Sequence, residues 1–135
     1  MRRRFEELRG LNVKEFPNAT HDLLRTILEC SIKDYLRAQG QSSSVAKKTL
    51  GPLVDALAAE YKSDAKMTGH INAIKRSGRM TSSQFAGTSD ALNTTNHEPD
   101  QLVSSKEVHE AWDRLKPIII EIVGKKQSTG SASQP

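Results

Sequence analysis

Residues 17–40 read PNATHDLLRTILECSIKDYLRAQG, and the fold turns on them. Leu24, Ile27, Leu28, Ser31 and Tyr35 recur at the three- and four-residue spacing of one helix face. Leu23, Ile32 and Leu36 widen that stripe on both sides. A stripe so broad touches more than one neighbour, so the spacing predicts a central helix over about residues 18–39. Pro17 or Asn18 starts it, and Gly40 ends it.

Outward from this helix, each apolar segment repeats the helical period. Leu50, Leu53, Val54, Leu57 and Tyr61 form a second stripe. Gly51-Pro52 must break that helix or lie in its first turn, because proline donates no backbone N–H. Met67, Ile71 and Ile74 mark a short helix over about residues 67–75, and residues 76–79 (RSGR) read as a turn. Thr81 with Gln84 and Ser104 with Glu107 each have capping-box spacing. Their flanking apolar pairs are Met80 with Phe85 and Val103 with Val108, placed as hydrophobic staples.

The second box opens a helix in which Val108, Ala111, Trp112, Leu115, Ile119 and Ile122 share one face. Pro117 should bend it by removing one hydrogen bond. The stretch PIIIEIV, 117–123, is β-rich in composition but continues the helical stripe. No segment alternates as a strand does. The expectation is an all-α fold, a single bundle of about five or six helices over residues 1–123. The polar end, residues 124–135 (GKKQSTGSASQP), reads as a disordered tail. The abrupt charged opening would suit a domain of a longer protein.

Composition agrees with helices. Hydrophobic residues make up 36% and aromatics 4% of 135 residues, so the core rests on Leu, Ile, Val and Ala. No apolar run is long enough for a membrane span, and MRRRFEELRG lacks the apolar centre of a secretory signal. The single cysteine, Cys30, cannot form an internal disulfide, which fits a reducing cytoplasm. The net charge of +4 permits an acidic partner such as nucleic acid, and a solvated surface explains it as well. The basic candidates are Arg2, Arg3 and Arg4 at the N-terminus, and Lys75, Arg76 and Arg79 around the expected turn.

Among polar residues of the central helix, Arg25 falls on the apolar arc beside Ile32, and Glu29 follows at i+4. An arginine facing a core needs a partner, and Glu29 is in reach. The pair reads either as a structural ion pair at the bundle edge or as part of a polar pocket. Cys30 lies near Lys33 and Arg37, whose charge would favour a thiolate, but no histidine is placed to act as its base. The four histidines, His21, His70, His97 and His109, lack the spacing of a zinc site, and no cofactor is expected. In LNTTNHEPD, residues 92–100, Asn93 and His97 stand just before Pro99. They read equally as a polar helix end, satisfying loose carbonyls, or as a degenerate site.

Two stretches together resemble the HEPN superfamily of helical domains from prokaryotic defence and toxin systems. The first is HDLLRTILECSIKDYL, with Arg25 and Glu29. The second is LNTTNH, with Asn93 and His97, followed by AWDRLKPIIIEIV. The likeness follows the order of elements over roughly residues 16 to 123. Active members carry an arginine, four to six residues and a histidine. Mapped here, the histidine is His97, the polar residue Asn93, and the arginine position holds Leu92. The resemblance therefore implies a site without its cation, and no other arginine lies four to six residues before a histidine. It also implies a homodimer and a role in assembly or regulation. The rival expectation is a nucleic-acid-binding domain, at the extreme a metal-independent ribonuclease.

Overall fold

The computed structural model describes residues 2–41, 45, 48–75 and 104–132, with side chains of the last helix described to residue 125. Five helices are described: α1 (Arg2–Gly10), α2 (Pro17–Ala38), α3 (Leu50–Glu60), α4 (Ala65–Lys75) and α5 (Ser105–Ala132). The fold is an all-α bundle, with no strand among the described residues. The Thr81 capping box, the 76–79 turn and the LNTTNHEPD stretch lie outside the described residues.

α2 is the centre. It packs most extensively on α5 and also meets α1 and α3, while α4 bridges α3 and α5. The broad stripe explains this. Leu24, Ile27, Leu28, Ile32 and Leu36 are all buried, together with Ser31 and Tyr35. Fully burying one such aliphatic side chain favours folding by about 1.5–3 kcal/mol, so a helix buried over more than half its circumference anchors the rest. Pro17 occupies the first turn as expected, with Thr20 Oγ1 donating to the Phe16 carbonyl at 2.7 Å.

The other end of α2 closes on Gly40. Its φ of +89° is the left-handed conformation that glycine adopts without steric cost. There the Gln41 N–H donates to the Leu36 carbonyl and the Gly40 N–H to the Arg37 carbonyl, each at 3.0 Å. This 6→1 and 5→2 pair is a Schellman cap, which satisfies carbonyls that the helix end would otherwise leave loose.

Pro52 sits in the first turn of α3, where its missing N–H costs nothing. α4 starts at Asp64, whose Oδ1 accepts from the Met67 N–H at 3.0 Å. Met67, Ile71 and Ile74 face the core. In α5 the Ser104 cap forms: its Oγ accepts from the Glu107 N–H at 3.2 Å and donates to Glu107 Oε1 at 3.1 Å. Helix α5 continues through Pro117 without interruption, and PIIIEIV is helical. Its backbone runs on past Gly124, where composition suggested a disordered tail, to Ala132. No proline lies between Gly124 and Ala132 to stop the hydrogen-bond ladder, and Gly124 and Gly130 each cost a helix only about 1 kcal/mol. Among the described residues no helix is long and apolar enough to cross a membrane.

Candidate functional site

On α2, one face carries a row of charge. Arg25 Nη2 lies 3.5 Å from Glu29 Oε2, and Lys33 Nζ lies 3.2 Å from Glu29 Oε1. The spacing i, i+4, i+8 places all three side chains above one another. Each is about one-fifth exposed, so the row sits at the edge of the bundle rather than in its core. The carboxylate of Glu29 is thus shared between two cations, and Arg25 has a further interaction besides. Arg25 and Glu29, singled out from the sequence, are brought together as a half-buried ion pair. Asn93 and His97 lie outside the described residues, as do Arg76 and Arg79.

The other basic candidates are mostly engaged. Arg2 pairs with Glu6 at 3.3 Å and Arg3 with Glu7 at 3.7 Å along α1. Lys75 of α4 meets Asp55 of α3 at 3.1 Å. Arg4 is exposed. The arginines of α1 and Lys75 therefore belong to two separate elements, each carrying its own counter-charge. Exposed pairs of this kind contribute about 0–1 kcal/mol, so they cost little to break, yet each carboxylate lowers the net positive charge a phosphate would meet. Cys30 is a free, half-buried thiol beside this charged face.

Two buried polar groups were not apparent from pattern alone. His21 lies in the second turn of α2, 2% exposed, and its Nδ1 has no hydrogen-bond partner among the described residues. Burial lowers its pKa below the ordinary histidine value, against the opposing pull of the Asp22 and Glu107 carboxylates. The signal was present: residues 21, 24, 28, 31 and 35 form one continuous seam, so His21 belongs to the core face. Tyr61, at the end of α3, stacks on Tyr35 with ring centroids 5.6 Å apart. Lys125 of α5 lies 4.9 Å over the Tyr61 ring. The Tyr61 hydroxyl is enclosed and makes no hydrogen bond of ordinary geometry, although Tyr35 lies beside it. Burial first, then the Tyr35 hydroxyl, raises its pKa well above the usual phenol range, so it stays protonated.

A pocket of about 300 Å³ opens between α1, the turn after it, α2 and α5. Its walls are largely apolar, with Leu8, Val13, Leu24, Val108 and Trp112 among them, and Arg9 and His109 also line it. The turn holds its shape through Asn12, whose Oδ1 accepts from the N–H groups of Lys14 and Glu15 at 3.0 and 3.3 Å. Among the described residues no three His, Cys, Asp or Glu side chains gather as a metal site would require.

Fold and site together define a class: a small all-α domain whose central helix carries a half-buried ion row on one side and an apolar pocket at its N-terminal end. No family model, curated protein or solved structure matches the chain.

Proposed function

We propose that the chain is a non-catalytic, HEPN-like helical module that assembles, as a homodimer, in a bacterial phage-defence or toxin–antitoxin setting. The observation that carries this reading is the closed Arg25–Glu29–Lys33 row on the long second helix. A nuclease of this type needs a cation free to meet the phosphate and its developing charge. Leu92 stands where the motif's arginine would be, and Arg25, on the long second helix, is already tied to a carboxylate. A guanidinium held in this way orients and packs. It is not an open phosphate ligand. General acid–base help from a histidine alone is worth about 10²–10⁴-fold, and each missing charge-stabilising donor forfeits about 10²–10³-fold.

The rival reading, an RNA-binding or RNA-cleaving domain, draws on the basic residues. Arg2, Arg3 and Lys75 already face carboxylates, which counts against it. The test combines two measurements on the full chain. Sedimentation should give a dimer, and incubation with structured and unstructured RNA should give no cleavage. Cleavage that His97→Ala abolishes would replace the assembly reading with the nuclease. Cleavage gained only by Leu92→Arg would identify a disarmed site.

A further inference from the structure

The pocket beside α1 combines two chemistries. Its body is apolar, formed by Leu8, Leu11, Val13, Leu24, Val108 and Trp112. Arg9 and His109, both exposed, are also among its lining residues. On the same helix Arg2 and Arg3 each hold a glutamate, whereas Arg9 makes no ion pair or hydrogen bond with any described residue, and neither does His109. Among the described residues no Asp or Glu lines the pocket. Of the charged groups described there, Arg9 is the one that would favour an anionic head over a cationic one.

We propose that this pocket binds a small free carboxylic acid with a short apolar body, a medium-chain or arylalkanoic acid. The apolar body sits against Leu24, Val108 and Trp112, and the Arg9 guanidinium takes the carboxylate. Arginine suits this head because its planar fork donates two parallel N–H bonds to a carboxylate. His109 supplies a second donor. The volume, about 300 Å³, is at the small end of the range for ligand sites, which selects short chains over long ones. This inference does not rest on the assembly reading, because the Arg25–Glu29–Lys33 row that carries that reading contributes no residue to the pocket.

Trp112 is the single tryptophan of the chain and lines the pocket, so its fluorescence reports occupancy directly. The experiment titrates the full chain with octanoate, octanol and octylammonium, each below its micellar concentration. Octanoate should shift the Trp112 emission saturably, at least about tenfold more tightly than octanol, the usual weight of a charge-assisted pair. Octylammonium should bind no better than octanol. Arg9→Met, an exposed substitution that keeps the helix, should bring octanoate down to the octanol level. Val13→Phe, which fills the pocket, should abolish both responses while circular dichroism shows the helices intact. Equal affinity for the three probes, or an unchanged octanoate affinity in Arg9→Met, overturns the assignment of an acid. The absence of any saturable response overturns the ligand site altogether and marks the pocket as covered by another part of the chain. An emission shift that follows protein concentration without any probe names a second copy as the occupant and overturns it equally.

Discussion

The two ends of α2 are built on opposite terms. The C-terminal end is closed: Gly40 forms a complete Schellman cap, Gln41 bonds to Glu60, and Tyr35 stacks on Tyr61 beneath Lys125. The N-terminal end is open. A pocket lies against Thr20 and Leu24, and the buried imidazole of His21 has no partner for Nδ1 among the described residues. The same helix, with the same aliphatic stripe, is thus packed densely at one end and left incomplete at the other. Each end also encloses one polar atom without a hydrogen bond among the described residues, the Tyr61 hydroxyl at one and His21 Nδ1 at the other, so the contrast lies in packing: dense contact gives stability and a void forfeits it. The difference teaches that α2 is packed to completion at its C-terminal end and borders a pocket of about 300 Å³ at the other.

The largest effect tests that division directly. Leu36→Ala, at the closed end, should cost about 3–5 kcal/mol, because the surrounding residues cannot collapse into the cavity. Leu24→Ala, which lines the existing pocket, should cost less, about 2–3 kcal/mol, because the space it leaves joins one that is already open. Urea unfolding of both variants measures the gap. Equal costs, or the reverse order, would break the comparison.

Next in size is the response to acid. The folded-state pKa of His21 is lowered by burial, so the unfolded chain binds the proton more readily. Its contribution to stability is fully present above the unfolded value of about 6.5 and is lost as pH falls through and below it, toward the folded value. A single proton sets a limit of about 1.4 kcal/mol per pH unit on that slope. Asp22 and Glu107 face His21 and oppose the loss while they remain ionised. Unfolding measured between pH 7 and pH 5 should show declining stability in the natural chain and a flatter profile in His21→Leu. An identical slope in both would remove the open end's polar defect from the comparison.

The smallest effects concern the two caps. Gly40→Ala should cost about 1–2 kcal/mol, from the left-handed backbone alone, since no atom lies within 4 Å of the added methyl group. Ser104→Ala should cost about 1 kcal/mol through loss of the bond to the Glu107 N–H. Thermal melts of the two variants sharpen the comparison by showing whether the α2 exit or the α5 entry is the more costly to lose.

What the sequence disclosed follows from which interactions are local. The limits of α2 were legible because Pro17 and Gly40 act within one turn of themselves. The Ser104 cap was legible for the same reason, and so was the Arg25–Glu29 pair, since i+4 partners meet on any helix. The core stripes of α3, α4 and α5 were legible because periodicity alone fixes their buried faces. The pocket was not, because its walls come from residues 8–13, 20–24 and 108–112, and no local rule brings these together. The unpartnered state of His21 depends on the same distant packing. For residues 124–135 composition pointed to a disordered tail, and the helical backbone runs as far as Ala132. The Asn93 and His97 pair lies outside the described residues, and Leu92 with it.

Helix α1 carries no fully buried side chain; Phe5 and Leu8 only rest against the core. Its release from α2 therefore exposes little apolar surface and leaves the α2–α5 packing untouched. Amide hydrogens of α1 should exchange through this local opening, orders of magnitude faster than those of α2, which exchange only when the whole bundle unfolds. The same asymmetry governs access to the pocket. One wall of the pocket is the helix with no buried side chain and another is the central helix of the bundle, so early exchange in α1 would open the pocket without unfolding its floor.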